Sequence, residues 1–384
     1  MVVKNASEYE PMDALKRRFH NIDLSAPMIT ASSYLRGLLG QKTIYRVHDE
    51  SSWALYWVAY YIGLGLKQLN VPTQQTNIYR PLRNQIIHFD SRYAYLLKPE
   101  AYLHPSNHAF LTWFHGDPAD EDFKAIYNIL SERQSQIDGV VVSTKTGLNN
   151  LKLQGFPPEK LSIIPIGVDT KKFKPASIDF RQVLREQLGI QEDEFCIGSF
   201  QKDGDGWEDG LEPKLIKGPD IFLDVIAEVK KSHHRLVVLL LGPARGYVKA
   251  GLDKIGVRYI HRLVDDYHDV AQYYHALDLY LITSRDEGGP KGFMESWASG
   301  IPVVSTRMGM PADYIQHGIN GYLANVEDVN SLAEAILTVI NAKDVRQSIV
   351  SQALIDVQPL DWMAVAKQYY EKLYQPILSP EHTA

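Results

Sequence analysis

The sequence has one cysteine, no excess of basic residues and no hydrophobic run long enough to cross a membrane. Cys196 has no second cysteine to pair with, so an internal disulfide is excluded and a reducing compartment is the default expectation. The 40 Lys and Arg are outnumbered by 46 Asp and Glu, which gives a formal net charge of -6. This balance argues against a nucleic-acid partner, because such partners are gathered by a basic field. Any anionic ligand must therefore be held by local groups.

The most apolar stretch, residues 53–66, has 14 residues, whereas a spanning helix needs roughly 20. We interpret it as an aromatic-rich helix buried beneath a sheet, with peripheral contact to a membrane as the alternative. Residues 1–19 carry charges of both signs and lack the long apolar core of a secretory signal. The expected location is cytoplasmic, with membrane association as the alternative.

The length of 384 residues predicts two domains, since a domain typically holds roughly 150 residues. From about residue 40, short β-rich runs alternate with longer helical patterns, which indicates an α/β protein with parallel sheets. The predicted strands of the first series are 42–47, 84–90, 109–115 and 139–144. Its predicted helices are 54–69, 121–137 and 144–154.

A second α/β series follows residues 166–183, which are polar and proline-bearing and are predicted to form an irregular linker. Its predicted strands are 194–200, 235–242, 257–264, 277–284 and 301–306, and its predicted helices are 219–231, 267–277 and one from about 291. The apolar run 236–241 is typical of a central parallel strand. We predict a first lobe at 1–168 and a second lobe at 169–359. A C-terminal helix, at about 360–384, is expected to pack back on the first lobe.

Residues 283–306 join a predicted strand to a helix and then to another strand. Ligands of open α/β sheets bind beyond the carboxyl ends of the strands, where residues 284–289 are expected to lie. Gly288 and Gly289 allow close approach of the backbone, and Pro290 suits the start of a helix whose free N–H groups favour phosphate or polyhydroxyl ligands. Glu287 and Glu295 are expected to face one cleft, although a glutamate near a helix start is also ordinary capping electrostatics.

The whole segment resembles the E-x7-E signature of the retaining family 4 glycosyltransferases (glycosyl transferases group 1). Their fold, GT-B, consists of two Rossmann-like doubly wound lobes that face a central cleft. The match here is Glu287, seven residues, and Glu295, followed by SWASGIPVV. The resemblance implies that Glu287 contacts the donor sugar and that Glu295 binds the ribose hydroxyls. It also implies that residues 288–291 adjoin the donor, with Gly288, Gly289, Pro290 and Lys291 as donor-binding candidates.

Further matches occur in the family's order, so that the resemblance covers roughly residues 105–375. Residues 141–175 resemble the stretch that leaves the first lobe through a GVD turn, and residues 306–323 resemble the loop and strand after the carboxylate helix. Lys217 and Gly218 resemble the family's KG pair, whose lysine neutralises the donor diphosphate. His115 resembles the first-lobe histidine that contacts the donor sugar, with a purely structural histidine as the alternative. Asp117 is a second candidate beside it.

Two stretches depart from the family's pattern. The family's arginine at the first strand of the second lobe is absent, and Lys202 is assigned its charge. We interpret the acidic insertion 203–212 as a mobile solvated loop, with a metal at Asp203 and Asp205 as the alternative, and we expect no metal requirement and no cofactor. The first-lobe glycine-rich loop is replaced by YRVHDESSWALYW. Its acidic and histidine residues are either acceptor-side contacts or solvated loop residues: His48, Asp49 and Glu50.

The resemblance implies a retaining glycosyltransferase of the hexosyltransferase type. Its donor would be a UDP or GDP sugar and its acceptor a carbohydrate or glycolipid hydroxyl, in polysaccharide, lipopolysaccharide or glycolipid synthesis. No carboxylate is placed as the nucleophile of a double displacement, so the implied route is attack on the face that the phosphate leaves. The same fold serves nucleotide-sugar epimerases and non-catalytic sugar-nucleotide binding proteins, which are the alternatives. Glu287, Glu295 and Lys217 favour a catalytic role.

Overall fold

The computed structural model describes residues 31, 35–37, 39–48, 54–77, 79–96, 103–204 and 206–379. Within them, the strands form two six-stranded sheets. Neighbouring strands are parallel throughout both sheets. The predicted α/β class with two doubly wound lobes is confirmed.

The first sheet has the strand order β2-β1-β3-β4-β5-β6. Its strands are β1 Ile44–Val47, β2 Thr73–Thr76, β3 Ile86–Phe89, β4 His108–Trp113, β5 Gly139–Val142 and β6 Leu161–Ile163. The helices of this lobe are α1 Ala54–Gln68, α2 Glu121–Arg133 and α3 Lys145–Leu153. No helix of the described residues is both long enough and apolar enough to cross a membrane.

The second sheet has the order β12-β11-β10-β7-β8-β9. Its strands are β7 Phe195–Ser199, β8 Leu236–Leu241, β9 Arg258–Arg262, β10 Leu279–Ile282, β11 Val303–Thr306 and β12 Tyr322–Ala324. The helices from the linker onward are α4 Ile178–Leu188, α5 Pro219–Ser232, α6 Gly246–Ile255, α7 Val270–Tyr274, α8 Lys291–Ala298, α9 Gly309–Tyr314, α10 Val329–Asn341 and α11 Lys343–Asp356. The strand order reverses between β7 and β10, and ligands of open α/β sheets bind beyond the strand ends at such a reversal.

The segment 166–183, predicted to be an irregular linker, is more ordered than expected. The hydroxyl of Ser177 accepts a hydrogen bond from the backbone N–H of Phe180, which caps the start of α4. Earlier in the segment, Ile166, Val168 and Phe173 are buried in a core cluster that both lobes share. The prediction was wrong from residue 178 onward, where α4 begins; this helix buries Leu184 and Arg185 and leaves Ile178 and Val183 exposed, so the burial of its residues does not follow their polarity.

The C-terminal segment packs on the first lobe. It consists of α12 Trp362–Tyr369, a π-helical turn Tyr370–Tyr374 and α13 Gln375–Leu378. The rings of Trp362 and Tyr61 stack with centroids 5.4 Å apart. At the other end of the segment, the buried hydroxyl of Tyr374 lies 2.7 Å from Nδ1 of His88 in β3. These contacts attach the end of the described chain to the first sheet and to α1.

Candidate active site in the cleft between the lobes

Lys217 and Glu287 form an ion pair at the point where the second sheet reverses its strand order. The ammonium Nζ lies 2.7 Å from Oε2 of Glu287, and the hydroxyl of Ser284 donates to Oε1 at 2.7 Å. The two paired side chains are 25% and 13% exposed, so a ligand in the cleft can reach them. Thus two residues 70 positions apart, each identified from a short motif, lie in direct contact.

The backbone conformation of the residue after Lys217 requires glycine at position 218. Its φ of +62° is left-handed, and a Cβ atom there would lie 2.0 Å from the carbonyl oxygen of Thr283. The Thr283 hydroxyl also donates to the carbonyl of Gly218 at 2.8 Å. A residue other than glycine would push the turn away from the end of β10. Glycine therefore brings Lys217 within reach of Glu287.

Glu295 lies in α8, and its carboxylate is held by two tyrosines. Tyr274 donates to Oε2 at 2.7 Å, and Tyr267 donates to Oε1. Burial, with the neighbouring carboxylate adding to it, raises the pKa of both phenols well above the usual value, so both remain protonated donors. The Glu295 side chain is 6% exposed, and the two tyrosines fix the orientation of its carboxylate.

Lys291 joins this group from the first turn of α8. Its Nζ lies 3.4 Å from the ring centroid of Tyr267 and 3.9 Å from Oε1 of Glu295. Burial lowers the pKa of Lys291 to about 8, and the carboxylate of Glu295 opposes that shift. The cation is therefore stabilised by a π face and a carboxylate rather than by water.

The two tyrosines were missed from the sequence, although a signal was available. Tyr267 and Tyr274 are seven residues apart in a segment predicted as a helix, and that spacing places two residues on one helical face. The structure has a 3₁₀ turn at Tyr267–Asp269 followed by α7, and both hydroxyls reach Glu295.

The glycines after Glu287 allow the first lobe and α9 to approach closely. A Cβ atom on Gly288 would lie 2.1 Å from the carbonyl oxygen of Phe114, and one on Gly289 would lie 2.7 Å from Sδ of Met310. Pro290 then stands at the N-cap, with φ -63° and ψ 118°, and α8 begins at Lys291. The start of α8 is thus presented at the junction of the lobes.

His115 lies across the cleft from this segment. A cavity of about 250 Å³, open to solvent, is lined by both lobes. The first lobe contributes His115, Thr144 and Asn150, and the second contributes Asp286 and Glu287. His115 and Glu287, both implied to contact the donor sugar, therefore line one cavity.

The insertion at 203–212 is not simply a solvated loop, so that interpretation was wrong for Asp203. Asp203 is buried, and one carboxylate oxygen lies 2.9 Å from a guanidinium nitrogen of buried Arg245. Asp209 also has a structural role, because its carboxylate accepts from the backbone N–H of Arg245 at 3.0 Å and pairs with Lys249. The partners of Asp203 and Asp209 lie more than 35 positions away in sequence, so no local sequence pattern predicts these contacts. Asp205 lies outside the described residues.

The remaining candidates occupy different surroundings. The ammonium of Lys202 lies 4.6 Å from the ring centroid of Trp207, and its part in diphosphate binding stays a prediction. His48 packs its ring edge-on to that of Tyr56, while Asp49 and Glu50 lie outside the described residues. Asp117 is exposed and accepts from the backbone N–H of Ala119 at 2.8 Å, as turn residues do. No group of three or more potential metal ligands occurs in the described part of the chain.

Comparison with known proteins finds glycosyltransferases among the proteins similar to this chain. Residues 211–342 match the family model described as glycosyl transferases group 1. Curated relatives include the D-inositol 3-phosphate glycosyltransferase of Thermobispora bispora, 26% identical over 66% of this chain and 60% of the relative. The enzyme of the same name from Corynebacterium kroppenstedtii is 27% identical over 60% of this chain and 51% of the relative. The chain thus spans about half to three fifths of these relatives, and the resemblance drawn from the motifs is confirmed.

Solved structures share the fold over most of the chain. Anabaena HepE in complex with UDP has a TM-score of 0.71 at 19% identity and covers 87% of this chain and 99% of its own. Sucrose-phosphate synthase from Thermosynechococcus elongatus has a TM-score of 0.67 at 15% identity, with coverages of 86% and 98%. The fold is therefore GT-B, as predicted.

Proposed function

We propose that this chain is a glycosyltransferase that moves a sugar from a nucleoside diphosphate donor to a hydroxyl group of a carbohydrate or glycolipid, with retention at the anomeric carbon. The observation that carries the proposal is the 2.7 Å ion pair between Lys217 and Glu287, in the cleft beside the start of α8. The family match over residues 211–342 and the curated glycosyltransferases support the same activity.

Lys217 and α8 together suit a diphosphate leaving group. The free N–H groups at the start of α8 carry partial positive charge, and the Lys217 ammonium adds a full charge. Negative charge grows on the diphosphate as the sugar departs, so groups placed there before the reaction lower the barrier. A diphosphate that binds Lys217 also competes with Glu287 for the ammonium. Glu287 is then free to accept hydrogen bonds from the sugar.

Glu295 suits the ribose of the nucleotide. Its two oxygens offer about four acceptor positions, and Tyr267 and Tyr274 occupy two of them. The two hydroxyls of a ribose can use the others without displacing either tyrosine. The structure of Anabaena HepE has been determined with UDP-glucose, which supports a nucleotide sugar as the donor for a chain of this fold.

Retention is proposed on the arrangement of the cleft residues. Glu287 accepts a hydrogen bond from Ser284, and Asp286, the other carboxylate named in the cavity, faces His115; we propose that neither acts as the nucleophile of a double displacement. The leaving phosphate itself can take the proton of the acceptor hydroxyl as that hydroxyl attacks from the same face. Closure of the lobes would exclude the water that otherwise captures the developing cation.

The test is to incubate the chain with UDP-sugars and GDP-sugars, with and without carbohydrate or glycolipid acceptors. We expect nucleotide release that depends on acceptor, and a product whose anomeric configuration, read by NMR, matches that of the donor. Release without transfer would indicate a hydrolase, and sugar interconversion without release would indicate an epimerase. Binding alone would indicate a non-catalytic protein, and inversion would refute the proposed stereochemistry.

A further inference from the structure

Asp286 faces His115 across the cleft, and the proposed function gives Asp286 no role. Oδ2 of Asp286 lies 3.7 Å from Nδ1 of His115. That ring nitrogen is buried and has no hydrogen-bond partner in the structure. Buried polar side-chain atoms usually have a hydrogen-bond partner, so we expect Nδ1 of His115 to have one as well. Asp286 supplies the facing acceptor, and it comes from the other lobe.

The backbone of His115 is tightly held. Arg92 donates a hydrogen bond to its carbonyl oxygen, and the hydroxyl of Tyr127 donates to the carbonyl of Gly116 at 2.9 Å. Gly116 has φ +143°, and a Cβ atom there would lie 2.4 Å from the ring of Phe123. The imidazole itself packs edge-on to Phe123, with centroids 5.6 Å apart. The backbone of His115 is therefore held in place, with Nδ1 of its ring 3.7 Å from Asp286.

The two chain neighbours of Asp286 are also held in place by hydrogen bonds and ion pairs. The backbone N–H of Arg285 donates to the carbonyl of Ile216 at 2.8 Å, and its guanidinium forms two hydrogen bonds with Asp220, at 2.9 and 2.7 Å. On the other side, Glu287 is held by Lys217 and Ser284. Both neighbours of Asp286 are thus tied to the second lobe.

We propose that Asp286 is the positioning residue of His115. When the lobes close, its carboxylate accepts a hydrogen bond from Nδ1–H and selects the neutral tautomer in which Nε2 is an acceptor. Nε2 then accepts a hydrogen bond from a hydroxyl of the donor sugar. The present 3.7 Å separation is longer than a hydrogen bond, and such contacts in unliganded sites commonly shorten in the complex. The sugar contact rests on the proposed function, whereas the tautomer does not.

The first test reads the tautomer directly, by ¹⁵N NMR of the histidine rings in the full chain saturated with UDP, at a pH where the ring is neutral. The spectrum of His115→Ala assigns the signal. We expect the Nδ1–H form in the wild type and a mixture of tautomers in Asp286→Ala. A dominant Nε2–H form in the wild type would overturn the proposal, whether or not the chain transfers sugar.

The second test is kinetic and uses His115→Ala as a background. At saturating donor, Asp286→Ala should lower kcat about tenfold, within the range of directly coupled residues, while UDP affinity stays within twofold. Asp286→Glu should recover part of the loss. In the His115→Ala background, Asp286→Ala should have no further effect, and an equal loss there would refute action through His115.

Glu121→Gln is the matched control for both tests, because Glu121 is an 83% exposed carboxylate at the start of α2. It should keep wild-type kcat and the wild-type ring spectrum. Thermal unfolding of each variant distinguishes a folding defect from a catalytic one. A wild type without transferase activity would refute the proposed function alone, since the NMR test still decides the tautomer.

Discussion

The ring of Tyr267 in the second lobe lies 5.2 Å, between centroids, from the ring of Trp57 in the first lobe. The hydroxyl of the same tyrosine donates to Glu295, the carboxylate proposed to bind ribose. Phe173 of the linker also packs near it, with centroids 6.0 Å apart. One side chain therefore contacts both lobes, the linker and the proposed nucleotide carboxylate.

Tyr267→Phe should destabilise the protein, because it removes a hydrogen bond to a buried charged acceptor and keeps the ring. The expected loss is about 1.5–3 kcal/mol in the free energy of unfolding. Denaturant unfolding followed by Trp fluorescence measures it. The control is Tyr273→Phe, in the adjoining helix α7 but with no hydroxyl contact to Glu295. Equal effects of the two variants would show that the Tyr267 hydroxyl contributes nothing.

Glu295→Gln and Glu287→Gln should separate nucleotide binding from turnover. Loss of charge-assisted hydrogen bonds to ribose should weaken UDP or GDP binding by about 1.5–3 kcal/mol in Glu295→Gln. Glu287→Gln should lower kcat with nearly unchanged affinity for the free nucleotide, because its proposed partner is the sugar. Titration calorimetry and steady-state kinetics provide the two readouts. If both variants lose nucleotide affinity equally, the division of roles is wrong.

The fold could be predicted from local pattern, and the missed elements show the limit of that approach. Central strands such as β8 are runs of apolar residues, and runs of this type by themselves indicate buried parallel strands. The edge strand β2 carries no such signal, since it consists of Thr73–Thr76, reads TQQT and is only partly buried. α4 was missed for a different reason, because it buries Arg185 and leaves Ile178 and Val183 exposed.

In the candidate site, too, some features could be predicted from the sequence and others could not. Lys217 and Glu287 each lie in a short motif, so the sequence identifies both residues although it does not reveal their contact. Asp203 pairs with Arg245 across 42 positions, and Asp286 meets His115 across 171. Contacts of this range depend on which strand ends the topology brings together, and one sequence does not contain that information.

The burial of Asp203 predicts an unusual pH dependence of stability. Burial raises the pKa of Asp203 to about 6, although Arg245 opposes the shift. The folded state thus holds this proton more tightly than the unfolded chain, in which the pKa is about 3.9. Its contribution to stability is full below about pH 4 and falls as the pH rises through 6. The expected fall is on the order of 1–3 kcal/mol.

Asp203→Asn removes this titration, so the advantage of the wild type over the variant should shrink between pH 4 and pH 7. Denaturant unfolding at several pH values measures the difference. Asp209→Asn is a control of opposite sign. Burial of Asp209 tends to raise its pKa, but the hydrogen bonds from Lys249 and from the backbone N–H of Arg245, together with the nearby positive charge, outweigh it and the net pKa is lowered. A wild-type advantage over Asp203→Asn that grows with pH would contradict the expected ionisation.

Transferase activity should survive chelation by EDTA. Lys217 and the start of α8 are proposed to supply the charge that a divalent cation would otherwise bring to the diphosphate. The assay compares initial rates after dialysis against EDTA with rates after magnesium or manganese is added back. Activity that is abolished by EDTA and restored by either metal would reverse this expectation and direct attention to the insertion at 203–212.

Lys217→Ala should lower kcat far more than it weakens donor binding. The ammonium now pairs with Glu287, and in the reaction it meets a diphosphate whose charge grows as the sugar departs. An interaction that strengthens towards the transition state acts on turnover when it is removed. We expect a loss of about 10²-fold or more, the size seen when one preorganised stabiliser is removed.

Lys217→Arg should restore only part of that loss, because a planar guanidinium does not replace a compact ammonium beside Glu287. Lys214→Ala, three residues earlier in the same turn, is the matched control and should stay within twofold of the wild type. Steady-state kinetics at saturating donor compare the three variants. A Lys217→Ala turnover that also stays within twofold would mean that the ion pair with Glu287 is structural, and that another group stabilises the leaving diphosphate.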